Sequence, residues 1–339
     1  MTTTPLGAVA RLHAPRDLRI HREPPPAVNA GETLLRITAV GLCGSDLHWY
    51  AEGAIGDARV SRPLVLGHEV AAVIAAGPRR GTRVALDPAD PCRVCVICRG
   101  GHEELCDTMR FAGHSSTDGG LRELMSWPER LLHPVPDSIG DSEAALLEPL
   151  GVALHAIDLG AVAAGMRIAV VGCGPIGLLV IAALGAAGLD DIVATDLLAP
   201  RVEAARRLGA RTAWLADPGP GRAMPDSIAE ADVVFDCAGD EAAVDAAIRL
   251  AAPAGRIVLV GIPSDDRTTF SASMARRKGL TFIVCRRMTA ADLDRAIALA
   301  TAGQIDLSSL ITDRFALEEA PQAFVALAGR RGLKVVVQP

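Results

Sequence analysis

The segment Gly172-Cys173-Gly174-Pro175-Ile176-Gly177 limits what this chain can fold into more than any other stretch. It follows an apolar run, Arg167 to Val171, and opens a helix-forming run, Gly177 to Gly188. Glycines at that spacing between a strand and a helix have separate physical uses. Gly172 allows the tight turn, Gly174 lets backbone approach a pyrophosphate, and Gly177 lets helix and strand pack closely. The new helix then offers free N–H groups and the positive end of its dipole to phosphates. Asp196 stands just after the next strand, Asp191 to Thr195, where a carboxylate bonds both ribose hydroxyls and repels a 2′-phosphate. The reading is therefore NAD, with Arg201 as the nearby side chain that would accommodate NADP. Val260 and Gly261, closing the later strand Arg256 to Val260, are assigned to the same site.

The surrounding pattern agrees. Pro200 to Leu208 reads as a second helix, and Asp232 to Asp236 and Leu280 to Val284 read as further strands. Strands alternating with helices imply a doubly wound parallel sheet. From Leu34 to about Pro136 the texture is different: short β-type runs alternate with Gly and Pro punctuation, as in a β-rich domain with long loops. Ser142 to Leu159 has helical periodicity interrupted by Pro149 and Gly151. Ala290 to Pro339 carries two helical patterns and a final strand, Lys334 to Val337. The fold class is α/β.

Composition narrows the function. At 339 residues the chain suits two domains, each with ample core. Its formal net charge of −6 argues against a nucleic-acid partner. The richest apolar stretch, Ile168 to Ala187, is broken by glycines and Pro175, and no uninterrupted apolar run reaches the ~20 residues of a membrane span. Met1 to Asp17 lacks the apolar core of a signal peptide, so a cytoplasmic location is expected.

Four of the eight cysteines, Cys92, Cys95, Cys98 and Cys106, lie within fifteen positions. That spacing suits a closed tetrahedral zinc, which orders a loop and leaves no vacancy for substrate. Buried thiols or disulfides fit the spacing poorly in a cytoplasmic chain. His102, inside the same lobe, is a substitute ligand. A second and sparser set pairs Cys43 with His68, leaving a third position to Glu69 or Glu148. Three protein ligands and one open place are what a catalytic zinc requires. Taken alone, Cys43 reads as a core thiol and His68 as a loop histidine. A metal to hold an oxygen and a dinucleotide to take a hydride together point to an alcohol dehydrogenase.

Cys43-Gly44-Ser45-Asp46-Leu47-His48, Gly53-Ala54-Ile55-Gly56 and Pro63-Leu64-Val65-Leu66-Gly67-His68-Glu69 decide the matter. Here the chain resembles the zinc-dependent medium-chain alcohol dehydrogenases, and among them the sorbitol and xylitol dehydrogenases. The likeness continues through the four-cysteine lobe, Asp118-Gly119-Gly120, Leu147-Glu148-Pro149-Leu150, the Gly-rich loop and Gly303-Gln304-Ile305-Asp306-Leu307.

The resemblance implies a GroES-like β-rich catalytic domain from 1–147 and 287–339, with the structural-zinc lobe at about 90–108. A Rossmann domain for NAD would occupy 148–286. It also implies two zinc ions per chain, with the catalytic one held by Cys43, His68 and Glu69. Glu148 would reach that zinc through water or bind it directly. Asp46 would orient the His68 ring from behind. Ser45 would accept the substrate's hydroxyl proton and relay it through the cofactor ribose toward His48. Arg287 would meet polar groups of the substrate.

The expected activity is oxidation of a secondary alcohol, a polyol, to its ketose, by a homodimer or homotetramer. L-Threonine or L-idonate 5-dehydrogenase is the nearest alternative. A zinc-free quinone or enoyl reductase, or a non-catalytic zinc-binding protein, would need the ligands to be missing. Several positions depart from the polyol pattern. Ala72 replaces a glycine, Thr82 replaces an aspartate, Trp49-Tyr50 reverses an aromatic order, and Met288 replaces a tyrosine. The segment between Ala210 and Asp232 is short.

Overall fold

The computed structural model describes residues 6–216, 228–264, 266–330 and 332–339. Most of the segment read as shortened, 217–227, lies outside them. The chain divides into two compact units, Met1–Glu148 with Thr289–Pro339, and Pro149–Met288.

The first unit is built mainly of strands. β1 (Gly7–Ala14) and β2 (Asp17–Glu23) form an antiparallel hairpin. β3 (Glu32–Gly41) then leads into α1 (Gly44–Glu52). β4 (Leu64–Val65) pairs with β1, and β5 (Glu69–Ile74) follows it directly. β6 (Arg83–Leu86), β7 (Ala89–Asp90), β8 (Arg110–Phe111), β9 (Leu124–Pro128) and β10 (Leu132–Pro134) complete the first stretch. α2 (Asp141–Ala145) and the start of α3 (Leu147–Leu159) end it.

The second unit holds β11 (Ile168–Val171), α4 (Pro175–Ala186), β12 (Ile192–Asp196), α5 (Ala199–Arg207) and β13 (Thr212–Leu215). It continues with β14 (Ala231–Asp236), α6 (Glu241–Leu250), β15 (Ala251–Leu259), α7 (Ala272–Lys278) and β16 (Thr281–Val284). The chain then returns to the first unit with α8 (Ala290–Thr301), β17 (Ile311–Ala316), α9 (Ala320–Ala328) and β18 (Lys334–Gln338).

Strand order in the second unit is β13-β12-β11-β14-β15-β16, every pair parallel. The order reverses beside β11, and in such sheets ligands bind outside the carboxyl ends of the strands at that reversal. β11 is buried along its whole length and β12 likewise, as strands covered on both faces must be.

The first unit's main sheet runs β10-β6-β5-β3-β18-β17, with β9 also on β3. β18 comes from the end of the chain yet pairs antiparallel with β3, Val336 opposite Gly41. On β3's other side Gly41 lies opposite Glu69. Trp49, Trp127 and Phe324, each no more than 2% exposed, anchor the core beneath.

Several elements went unread in the sequence, among them β1, β2, β9, β13 and β17 and the helices α1, α6 and α7. β1, β2 and β17 alternate weakly, and their pairing with neighbouring strands, rather than pattern, makes them strands. The interruption expected at Pro149 and Gly151 is displaced. The break falls at Leu146, and Pro149 occupies the first turn of α3, where its missing N–H costs nothing.

Candidate functional site

The lobe assembles from adjacent sequence. β7 and β8 close its neck, Asp90 opposite Arg110, with salt bridges from Arg110 and Arg130 to Asp90. The sulfurs of Cys92, Cys95, Cys98 and Cys106 all lie within 4.8 Å of one another, and none is in a disulfide. Backbone N–H groups of Cys92, Cys95 and Cys98 each donate to a neighbouring sulfur at 3.4 Å. Without a cation these sulfurs titrate far apart. The Val94 N–H draws the Cys92 thiol down to about 6, while burial pushes Cys98 up to about 12. Four thiols so crowded reach the thiolate form together only around a cation, so the donor set fits zinc. His102 is not among them: its ring is mostly exposed and turns to Glu104 at 3.3 Å.

The second cluster is assembled from distant parts of the first unit. Cys43 ends the β3–α1 connection, while His68 and Glu69 enter β5. The ligand atoms of Cys43, His68 and Glu69 lie within 4.8 Å of one another. Asp46, with no exposed surface, organises them. Its Oδ2 accepts from the Cys43 N–H at 3.0 Å and its Oδ1 from the Gly67 N–H at 3.1 Å. Oδ1 also lies 3.6 Å from His68 Nδ1, which leaves Nε2 as the nitrogen available to a metal. Burial opposes the charge on Asp46, but His68 and those two N–H groups hold its carboxyl below the usual range. Burial likewise opposes charge on His68, yet Asp46 and the Cys43 sulfur raise its pKa well above the ordinary value.

Glu148 is buried near this group but outside the tight set of three. Burial pushes its carboxyl up to about 7, with His68 opposing and the charge of Glu69 adding. Glu69 itself is 1% exposed. Lys334 Nζ lies 2.6 Å from its Oε1 as a hydrogen bond, and 2.5 Å from its Oε2 without the alignment of one. Both oxygens of this buried carboxylate thus face the Lys334 ammonium, and each keeps a lone pair for a divalent cation. A soft sulfur, an imidazole and a carboxylate oxygen fit zinc.

The side chains nearby have mixed positions. Ser45 is in the first turn of α1. His48, one turn on, reaches Glu52 at 3.4 Å. Trp49 is a core residue, 2% exposed and edge-on to His114 at 5.0 Å, and Tyr50 stacks on Phe324 at 4.7 Å. Sequence reasoning missed Phe111, whose ring centroid stands 5.4 Å from that of His68. It also missed Lys334. A signal existed for the second: Lys278 and Lys334 are the only lysines among 34 lysines and arginines.

In the second unit, Gly172 turns at φ 91° and Gly174 caps α4, with Pro175 at its first position and Ile176 next. A Cβ on Gly177 would stand 2.0 Å from the Gly172 carbonyl oxygen, closer than packing allows. A Cβ on Gly174 would meet nothing nearer than Arg201 Nη1 at 3.6 Å, so its outer side is open for a phosphate. Asp196 Oδ2 accepts from the Cys173 N–H at 2.7 Å and Oδ1 from the Leu198 N–H at 2.9 Å. Each carboxylate oxygen keeps a further lone pair for a ribose hydroxyl. Val260 and Gly261 both donate their N–H to the Asp236 carbonyl, at 2.8 and 2.9 Å. These residues fit a dinucleotide. Arg287, in the same unit, sits at the turn after β16 with φ 62°.

Known proteins resemble this chain over most of its length. The alcohol dehydrogenase GroES-like domain matches residues 29–137, and the zinc-binding dehydrogenase domain matches residues 175–302. A sorbitol dehydrogenase of Bacillus subtilis is 32% identical over 341 residues, 97% of this chain and 96% of that protein. L-Idonate 5-dehydrogenase of Escherichia coli superposes with a TM-score of 0.90 at 25% identity, over 98% of each chain. An alcohol dehydrogenase of Escherichia coli complexed with NADH superposes at 0.88 and 27% identity, over 99% of this chain and 100% of that one. Among the described residues no helix is long and apolar enough to cross a membrane. Two candidate metal centres, a dinucleotide loop and matches covering most of the chain agree, and the chain belongs to the zinc-dependent medium-chain alcohol dehydrogenases.

Proposed function

We propose that this enzyme oxidises a secondary alcohol of the polyol class to the ketose, with NAD as hydride acceptor. The observation that carries the reading is the convergence of Cys43, His68 and Glu69 within 4.8 Å. Zinc held there supplies a Lewis acid that makes a hydroxyl acidic at neutral pH. Cys43, His68 and a glutamate would hold it, and Asp46 fixes the orientation of His68. Ser45, in the first turn of α1, takes the hydroxyl proton, and His48, beside Glu52, passes it to solvent. Asp196 recognises the ribose, and Arg287 meets polar groups of the substrate. The sorbitol dehydrogenase likeness supports the polyol class. A cytoplasmic homodimer or homotetramer belongs to the same proposal, by family likeness.

The L-idonate 5-dehydrogenase likeness favours a second reading, a sugar acid as substrate. NAD reduction by zinc-replete protein, across polyols, L-idonate, L-threonine and simple secondary alcohols, separates the two. Preference for a polyol supports the first, preference for L-idonate the second, and silence across the panel overturns both. Asp196→Ala should weaken NAD and narrow its advantage over NADP in the same assay. An unaltered cofactor preference would remove Asp196 from the site.

A further inference from the structure

Arg122 is buried, with 8% of its side chain exposed, on the segment that follows Asp118-Gly119-Gly120. That segment is tied to β1. Arg122 bridges antiparallel to Val9, the Ala10 N–H donates to the Leu121 carbonyl at 2.9 Å, and the Glu123 N–H donates to the Ala8 carbonyl at 3.0 Å. The guanidinium is thus held beside the N-terminal hairpin, yet it has no aligned partner among the described residues. Its Nε is sealed from solvent and donates no hydrogen bond. Its one ion pair among those residues, Nη1 to Asp118 Oδ2, spans 3.8 Å, too far for a hydrogen bond.

The acids nearby are already taken. Arg11 grips both oxygens of Glu23, at 2.5 and 2.8 Å, and reaches Asp118 Oδ2 at 3.0 Å. Asp118 Oδ1 accepts from the Val65 N–H at 3.2 Å and from Arg62 at 3.3 Å. Further out, exposed Arg22 meets Glu123 at 3.7 Å and Glu318 at 4.0 Å. Around Arg122 itself, the guanidinium groups of Arg11, Arg62 and Arg122 share only the carboxylates of Glu23 and Asp118. Burial lowers the Arg122 pKa, with Asp118 and Glu23 opposing, but a guanidinium keeps its proton inside a protein. The charge therefore has to be met by a counter-ion.

Arg122 lines a pocket of about 160 Å³, together with Gly7, Glu23, Pro24, Pro25 and Leu124 among others. Pockets that take organic ligands run to about 300–1,000 Å³, so this one suits an ion of one or a few atoms. A water there would accept a hydrogen bond and leave the charge uncompensated, whereas an anion does both. We propose that the pocket beside Arg122 binds a small monovalent anion, a halide, which completes the ion-pair cluster and fastens the N-terminal hairpin to the segment after Asp118-Gly119-Gly120.

The test compares the full-length, zinc-loaded protein with Arg122→Met, both titrated with sodium chloride from chloride-free buffer. Past half-saturation, the native protein should gain about 3–5 °C in melting temperature for each tenfold rise in chloride, as mass action on one site requires. Arg122→Met removes the charge and the anion together. It should melt at or above the native protein without chloride and below it in chloride. Arg122→Gln serves the same comparison if Arg122→Met does not fold. A crystal grown in bromide locates the ion independently of any variant: an anomalous peak should lie within hydrogen-bond distance of the Arg122 guanidinium. Parallel melting curves for native protein and variant would overturn the proposal, as would ordered water at that place in the bromide crystal. A bromide peak without a chloride-dependent difference in melting would mean an adventitious ion only, and would overturn it equally.

Discussion

The two candidate metal centres lie in the same unit and are built in opposite ways. The lobe takes all four sulfurs from Cys92 to Cys106, a short loop closed at its neck by β7 and β8. The second cluster draws Cys43 from the end of β3, His68 and Glu69 from the start of β5, and Lys334 from the end of the chain. A centre made from neighbouring residues can organise itself around its ion. One made from distant residues exists only after the sheet has formed, and its geometry is then set by strand register and buried ion pairs. The first is suited to ordering a loop, and the second to holding an open coordination place in a fixed shape.

Cys43→Ser breaks the comparison most sharply. Turnover should be lost and metal content should fall from two ions to one, while NAD binding and the lobe persist. Metal analysis with steady-state assays checks this, and unchanged turnover would sink the zinc assignment.

Cys98→Ser should do the converse. The lobe should lose its ion and become open to proteolysis between residues 92 and 106, at a cost on the order of 4 kcal/mol, as metal loss commonly entails. Turnover per remaining cluster metal should survive. If turnover falls together with the lobe's ion, the two centres are not independent.

Asp46→Asn sharpens the contrast at the cluster alone. It removes the charge facing His68 and one of two acceptors, so zinc affinity there should fall by about 10–100-fold with the lobe unaffected. Chelator competition resolves the two ions by affinity.

The smallest effect belongs to Asp87, which is buried where the main sheet leads into the lobe and accepts the Ala89 N–H at 3.0 Å. Burial pushes its carboxyl up to about 6, against about 3.9 in an unfolded chain. A raised carboxyl contributes its stability in full below the unfolded value and loses it as pH rises through the folded one. Asp87→Asn, which keeps the acceptor, should therefore raise stability at pH 8 by up to about 3 kcal/mol and leave pH 4 unchanged. Equal gains in urea melts at both pH values would show that burial does not set this carboxyl.

Much of the architecture was legible because it is local. Gly172, Gly174 and Gly177 are demanded by a turn and by helix–strand contact a few residues away, and β11, β12 and β14 to β16 appear in the apolar pattern. β1, β2 and β17 escaped because their apolar alternation is weak, although β1 and β2 pair with each other as a hairpin. Trp49 and Tyr50, where the sequence reverses the aromatic order of the polyol pattern, pack against His114 and Phe324, contacts that no local pattern announces.

By itself the sequence determines the four-thiol lobe and the dinucleotide loop, because spacing along the chain already constrains those groups, while Cys43 and His68 are singled out by family resemblance, with the choice between Glu69 and Glu148 left open. Only the tertiary structure decides that Gly41 leaves room for Glu69 to meet Lys334, 265 residues further on. That meeting depends on β3 lying between β5 and β18, and burial then makes the resulting ion pair costly to leave unmade.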